Sequence, residues 1–176
     1  VVNGYLSVQS GTINTNGFDI GNIADLYVND GGVLSATAPT QIELTNGAVF
    51  SVNIGGRFES YGSAGNMVTV ANSGGYHTMR VKSGGTISAE YTGFYNSNIN
   101  GLNIQTGAGI DPVHPLHHCE FDAGETDGTL LTIDNEQVLT INGVVFNNTD
   151  GNAQYNVTKT VDEGEITFNM AAGDFA

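Results

Sequence analysis

The segment from His114 to Cys119, HPLHHC, holds the residue types that most readily do chemistry. It contains three of the four histidines and the single cysteine of the chain. Neutral imidazoles and a thiolate bind Zn²⁺ when they converge on one ion. In an extended chain, however, four residues span about 13 Å, which places His114 and His118 too far apart to share an ion. His117 and Cys119 lie on one side of a strand and would need a further ligand from a neighbouring part of the chain.

The alternation that follows favours a structural role for the cysteine. Cys119 and Phe121 are two positions apart, so both side chains point into a core if this segment is a strand. A buried free cysteine is common and unreactive. Three polar residues fall on the outward side: His118, Glu120 and Asp122. We therefore expect Cys119 in the core, and we keep His114 and His117 as candidate ligands of a transition metal or partners of a polar residue in an adjacent coil.

A second group of candidate ligands is acidic. Asp122, Glu125 and Asp127 in DAGETDG could hold Ca²⁺ through carboxylate oxygens. Their spacing does not match an EF-hand loop, and acidic glycine-rich turns are common on repetitive β-proteins. Calcium therefore stays an alternative, and the sequence predicts no other cofactor.

Composition restricts the partners. The formal net charge is −14, and only 12% of the 176 residues are charged. Such a surface repels nucleic-acid phosphates and anionic membranes. A single cysteine excludes an internal disulfide, and no apolar run is long enough to predict a membrane helix.

The elements that must position these residues follow from a recurring unit. Apolar residues alternate over a few positions, and a pair such as Ser-Gly, Asn-Gly or Gly-Gly comes next. Examples are LSVQSGTI at 6–13, LYVNDGGVL at 26–34, MRVKSGGTI at 79–87 and LNIQTGAGI at 102–110. Alternation predicts short strands with one buried side, and the glycines permit a turn. No segment has a helical period.

This pattern predicts an all-β, right-handed parallel β-helix, or β-solenoid, over residues 1–176. We expect irregular coils of roughly 20 residues, and hence about eight or nine of them. A β-sandwich would need longer strands, and a left-handed hexapeptide helix would need a strict six-residue period. The chain forms one domain, a segment or stackable unit, with a mild change in composition near residue 90. Pro112 and Pro115 predict a bulged corner in the 110s.

Three stretches resemble a known kind of module. They are GLNIQTGAGI, CEFDAGETDGTLLTIDNEQVLTINGVVF and YNVTKTVDEGEITFNMAAGDF. They are similar to β-solenoid modules of large secreted surface proteins of the Bacteroidetes and Cloacimonetes type. The resemblance implies an extracellular or cell-surface location in an adhesin-like or stalk-like protein.

The most consistent functional prediction is therefore structural. We expect a solenoid that is part of a stalk, adhesin or filament, and that stacks end to end on copies of itself or on neighbouring modules. We do not expect an enzyme, because no coherent active site is visible. Arg80 to Lys82 and Asn148 to Gly151 match short motifs of polysaccharide-cleaving β-helices, but in reversed order and without the accompanying carboxylates. A carbohydrate-binding or polysaccharide-cleaving β-helix is the alternative.

Overall fold

The computed structural model describes residues 4–174, and these residues contain strands and turns but no helix. All strand pairs are parallel, and successive turns of the chain stack to form a β-solenoid with three walls. The predicted all-β solenoid is confirmed.

The three walls are named here by their strands. Wall 1 contains β1 Gly4–Val8, the second half of β3 Ile20–Val28, the second half of β5 Gln41–Val52, β8 His77–Val81, β11 Ser97–Ile104, β14 Thr129–Ile133 and β17 Tyr155–Thr158. Wall 2 contains β2 Gly11–Asn14, β4 Gly32–Thr37, β6 Arg57–Tyr61, β9 Thr86–Glu90, β12 Gly109–His117, β15 Val138–Asn142 and β18 Glu165–Asn169. Wall 3 contains the first halves of β3 and β5, β7 Val68–Asn72, β10 Thr92–Tyr95, β13 Glu120–Asp122, β16 Val145–Phe146 and β19 Ala172–Gly173.

The registers of wall 1 give the length of each turn. Its stacked inward residues are Leu6, Leu26, Phe50, Met79, Leu102, Leu131 and Val157. Successive members are 20, 24, 29, 23, 29 and 26 residues apart. The prediction of about eight or nine coils is therefore wrong, and the chain makes about six longer turns. The additional residues enter at bulges, such as the register shift between Ser97 and Leu102.

The core runs along the solenoid axis as columns of inward side chains. Each short strand contributes its alternate apolar residues, as in β8, where the first, third and fifth residues are buried. The rings of Phe94, Phe121 and Phe146 stack with centroids 5.3 and 5.4 Å apart, one ring per turn. Such ordered stacking places equivalent outward residues in columns at a spacing of about 4.8 Å.

A column of glycine turns connects wall 1 to wall 2. In the third turn, the Gly56 N–H donates to the Asn53 carbonyl at 2.9 Å, and Gly55 has a φ of 71°. A Cβ on Gly56 would lie 2.3 Å from the Val28 carbonyl oxygen of the preceding turn. The first glycine of the pair adopts a left-handed conformation, and the second allows two backbones to approach closely. This explains why the unit repeats Gly-Gly.

Candidate functional site

The HPLHHC segment begins on an outward bulge of wall 2. Ile110 pairs with Ile87 and Pro115 pairs with Ala89. Four residues therefore lie between the paired positions on β12, but only one lies between them on β9. The Asp111 carboxylate accepts the Val113 N–H at 2.8 Å and closes this bulge. The predicted bulge is confirmed, although Pro115 belongs to the paired strand. The chain turns the corner immediately afterwards, at residues with positive φ, Leu116 and His118.

His114 meets an acidic residue of the preceding turn. Its Nδ1 lies 3.0 Å from Oε2 of Glu90. With the Glu90 carboxylate as the acceptor, Nδ1 of His114 carries the hydrogen of this bond. The Tyr61 ring packs edge-on against the imidazole, with centroids 5.0 Å apart. The arrangement is an oriented, half-exposed histidine on an open wall.

Arg57 anchors the other end of this wall. Its Nε donates to Oε1 of Glu59 at 2.6 Å, and its Nη2 donates to Oδ2 of Asp111. Desolvation by itself would lower the pKa of Arg57, but the hydrogen bonds to Asp111 and Glu59 outweigh it and raise the pKa above its ordinary value. Burial alone would raise the pKa of Asp111, but the Arg57 guanidinium and the Val113 N–H hold it below the usual value. Both carboxylates therefore hold Arg57, and Asp111 also closes the bulge.

His117 repairs a break in the β-ladder of wall 2. The bulge interrupts the pairing of β12, and β15 forms a separate two-stranded sheet with β18. At the corner, Nδ1 of His117 accepts the Asn142 N–H at 3.0 Å, in the place of a backbone carbonyl. The His118 N–H then donates to the Asn142 carbonyl at 2.8 Å. Burial lowers the pKa of His117, which favours the neutral imidazole that can accept this bond.

Gln137 repairs the other end of the same break. Its Oε1 accepts the Ile110 N–H at 2.7 Å, and its Nε2 donates to the Ile110 carbonyl at 2.8 Å. A side-chain amide thus supplies both bonds that a paired strand residue would make. Asn135 Nδ2 also donates to Oε1 of Gln137 at 2.6 Å and fixes its orientation.

His118 and Cys119 complete the corner in the predicted directions. The His118 ring stacks on Tyr91 with centroids 4.6 Å apart and an angle of 14°. A Cβ on Gly143, in the next turn, would lie 2.3 Å from Nδ1 of His118, so the ring fills the space that the glycine leaves. Cys119 is fully buried beside Phe121, and burial raises the pKa of its thiol to about 12. The prediction of Cys119 in the core is confirmed.

The candidate calcium ligands lie on a different corner and contact backbone groups. Oδ1 of Asp122 accepts the N–H of Thr149 at 2.9 Å and its hydroxyl at 3.0 Å. Oε2 of Glu125 accepts the Ile99 N–H at 2.8 Å. The Asp127 N–H donates to the Asn152 carbonyl at 3.0 Å. Asp122 and Glu125 thus join neighbouring turns.

These metal candidates are not brought together. Within residues 4–174 no three His, Cys, Asp or Glu side chains are grouped so that they could hold a metal ion. His114 faces Glu90 and His117 faces Asn142, so their Nδ1 atoms are engaged separately. The metal and calcium assignments stay predictions. Contact of both histidines with an adjacent turn, the other expectation, is confirmed.

Sequence reasoning missed Glu90 and Gln137 as partners. Each lies one turn away from the atom it contacts, at separations of 24 and 27 residues. Because turn lengths vary from 20 to 29 residues, counting along the chain does not identify such axial neighbours. Within the sequence, only the polar character of Glu90 and Gln137 indicated that they could form such contacts.

His77 is a buried polar residue that the sequence analysis did not single out. It points into the core at the start of β8 and is 1% exposed. Among residues 4–174, neither ring nitrogen has a hydrogen-bond partner, and the hydroxyl of its axial neighbour Ser97 has none either. Burial lowers the pKa of His77 to about 4, against a smaller opposing effect of the Asn96 carbonyl.

Comparisons add no relative from which a role could be transferred. No helix in the described part of the chain is long and apolar enough to cross a membrane. Searches against protein-family models, curated proteins and solved structures find no match to this chain.

Proposed function

We propose that this chain is a structural β-solenoid module of an extracellular or cell-surface stalk, adhesin or filament. Its end turns are covered by further solenoid turns in end-to-end stacking. The observation that carries the proposal is the state of the two ends of the described stack. Each presents strands paired on one side only, together with incompletely buried inward residues.

The first turn has an open edge and an apolar groove. In the described chain, β1 pairs only with β3, and β2 pairs only with β4. The groove is lined by four apolar residues, Leu6, Ile13, Phe18 and Ile20, of which Phe18 is 76% exposed. Unpaired strand edges beside apolar surface favour addition of another strand layer.

The last described turn is similar. Strands β17, β18 and β19 each pair on one side within residues 4–174. Val157, Ile166 and Phe168 pack against the core but are only partly buried. Phe168, on wall 2, contacts Phe146 edge-on with centroids 5.9 Å apart and lies on the side of the core that a following turn would cover. In repeat proteins an end turn gains stability from the next turn that covers it.

Light scattering across a wide concentration range tests stacking between copies. We expect association that increases with concentration. Ser7→Pro should abolish association through the first turn without unfolding the chain. The Asn29 N–H donates to the Val8 carbonyl at 2.8 Å, so the backbone N–H and carbonyl of Val8 point towards the second turn. Because these groups alternate in direction along a strand, the N–H of Ser7 points towards the open edge, where proline would remove it.

Val8→Pro is the matched control, because it removes an internal ladder donor and should destabilise the fold instead. A strictly monomeric wild-type chain at every concentration would contradict stacking between copies. Equal association of wild-type protein and a folded Ser7→Pro variant would show that the first edge is not used.

A carbohydrate-binding wall is the second candidate, and an aromatic pair favours it. The rings of Tyr5 and Tyr27 lie on the outward side of wall 1 with centroids 5.2 Å apart, and Tyr5 is 65% exposed. Exposed tyrosines offer an apolar face and a hydroxyl, which together suit a sugar ring. A glycan array without a signal would remove this candidate and would leave stacking unaffected.

A further inference from the structure

The corner between walls 1 and 2 carries a groove along the solenoid axis. We call it the corner groove. It is lined by Asn29, Asn53, Ile54, Lys82, Ser83 and Gln105. Asn29, Asn53, Lys82 and Gln105 occupy the same position in four successive turns, because each N–H donates to the last residue of the wall 1 strand in the preceding turn. Three steps of about 4.8 Å give this column a length of about 14 Å.

Two cations without a salt bridge among the described residues lie close to this groove: Lys82 lines it, and Arg80 lies two positions earlier on β8 of wall 1. The chain has four Lys and Arg residues. Arg57 forms two salt bridges, and Nζ of Lys159 donates to three backbone carbonyls. Arg80 and Lys82 form no salt bridge in the part of the chain that the structure describes, and Arg80 bonds only to the Ser51 hydroxyl, at 3.3 Å. They are two positions apart on the same strand side, about 7 Å.

The axial neighbours of these two cations are neutral, although Asp30 lies at the same corner beside Gly55 and Asp25 lies near Tyr27. The axial neighbours of Arg80 are Ser51 and Asn103, and those of Lys82 are Asn53 and Gln105. Residues 1–110 contain six acids and three cations, whereas residues 111–176 contain twelve acids and one cation. The groove therefore lies in the less acidic part of the chain, where a bound anion meets less repulsion.

Lys82 also breaks a stabilising pattern. Asn53 Nδ2 donates to Oδ1 of Asn29 at 2.7 Å, and Asn29 Nδ2 donates to the Ser7 hydroxyl at 3.0 Å. An asparagine at position 82 would offer this axial ladder both a donor and an acceptor, whereas a lysine can donate to Asn53 but cannot accept a hydrogen bond from the following turn. A residue that departs from a locally favourable pattern without a structural gain indicates a functional requirement.

We propose that the corner groove binds an extended oligosaccharide that carries carboxylates, with Arg80 and Lys82 as the groups that recognise them. The guanidinium fork pairs with one carboxylate and the ammonium group with another. Gln105 and Ser83 meet hydroxyl groups, and the Tyr27 ring lies two turns from Arg80 in the same column. The inference rests on the second candidate function, since it names the glycan class and the site.

A fluorescently labelled hexamer of mannuronic acid is a suitable probe, because the neutral mannose hexamer and a hexaglutamate peptide are matched comparisons. Fluorescence polarisation at low salt should show binding of the uronate alone, and salt should weaken it. Absence of uronate binding would overturn the inference. Equal binding of hexaglutamate would also overturn it, since charge alone would then explain recognition. A glycan-array signal from neutral sugars only would keep the carbohydrate candidate and reject this site.

The decisive variant is Lys82→Asn, because its two expected effects have opposite signs. It should weaken uronate binding at least about tenfold, while the melting temperature stays the same or rises as the asparagine ladder extends. Arg80→Gln should weaken binding similarly. Gln154→Glu makes the same change in net charge at an exposed position and should leave binding unchanged. Full binding by folded Lys82→Asn and Arg80→Gln variants would refute the proposed site.

Discussion

Gln137 should act as a side-chain replacement for a β-ladder residue, and Gln137→Ala tests this role. The variant loses the two bonds to Ile110, which measure 2.7 and 2.8 Å. Ile110 is 1% exposed, so its N–H and carbonyl are left in a nearly dry environment. An unsatisfied buried backbone group costs about 1–3 kcal/mol. Because Gln137 itself is half-buried and water can partly replace it, we expect a total loss of about 2–3 kcal/mol.

The effect should be confined to one part of the solenoid. Gln137 joins β12 to the turn that contains β15, and in the described part of the chain β15 pairs only with β18. In a stacked protein each turn depends mainly on its immediate neighbours. Amide hydrogen exchange should therefore accelerate at Ile110 and through β15 and β18 by at least about tenfold, while amides of β4 and β6 keep their protection.

The matched control is Gln154→Ala, which removes the same side chain from an exposed position without a side-chain hydrogen bond among the described residues. Its free energy of unfolding, measured by urea titration, should change by less than about 0.5 kcal/mol. Equal stability of the two variants would refute the role of Gln137. Uniform acceleration of exchange along the whole chain would refute the local coupling between turns.

Two further predictions concern buried titratable groups. His77 has a folded pKa of about 4, below its ordinary value of 6.5, because burial favours the neutral imidazole. This pKa difference contributes about 3 kcal/mol to the free energy of unfolding above pH 6.5, and the contribution is lost as the pH falls towards 4. His77→Leu should flatten the pH dependence of urea unfolding in that interval relative to wild type, and parallel curves would contradict the assignment. The Cys119 thiol, with a pKa raised to about 12 by burial, should react with a thiol reagent at pH 8 only after the chain unfolds; rapid reaction in the native state would contradict its burial.

The fold and the direction of many side chains could be predicted because both are local properties. Alternation and glycine turns set the strands, and they correctly placed Cys119 and Phe121 in the core. The number of turns could not be predicted, because residues enter at bulges such as that between Ile110 and Pro115 without changing the alternation on either side.

In HPLHHC, alternation along the chain is not sufficient to predict the partners of the histidines. His114 and His117 lie three positions apart, yet one binds the Glu90 carboxylate and the other accepts a backbone N–H of Asn142. These partners are 24 residues behind and 25 residues ahead in the chain, so they depend on the lengths of two different turns. The bulge that carries His114 also breaks the ladder that His117 and Gln137 then repair. The role of a polar residue in this solenoid therefore depends on which residue of the adjacent turn lies beside it. Where the backbone ladder is interrupted, polar side chains replace its missing hydrogen bonds.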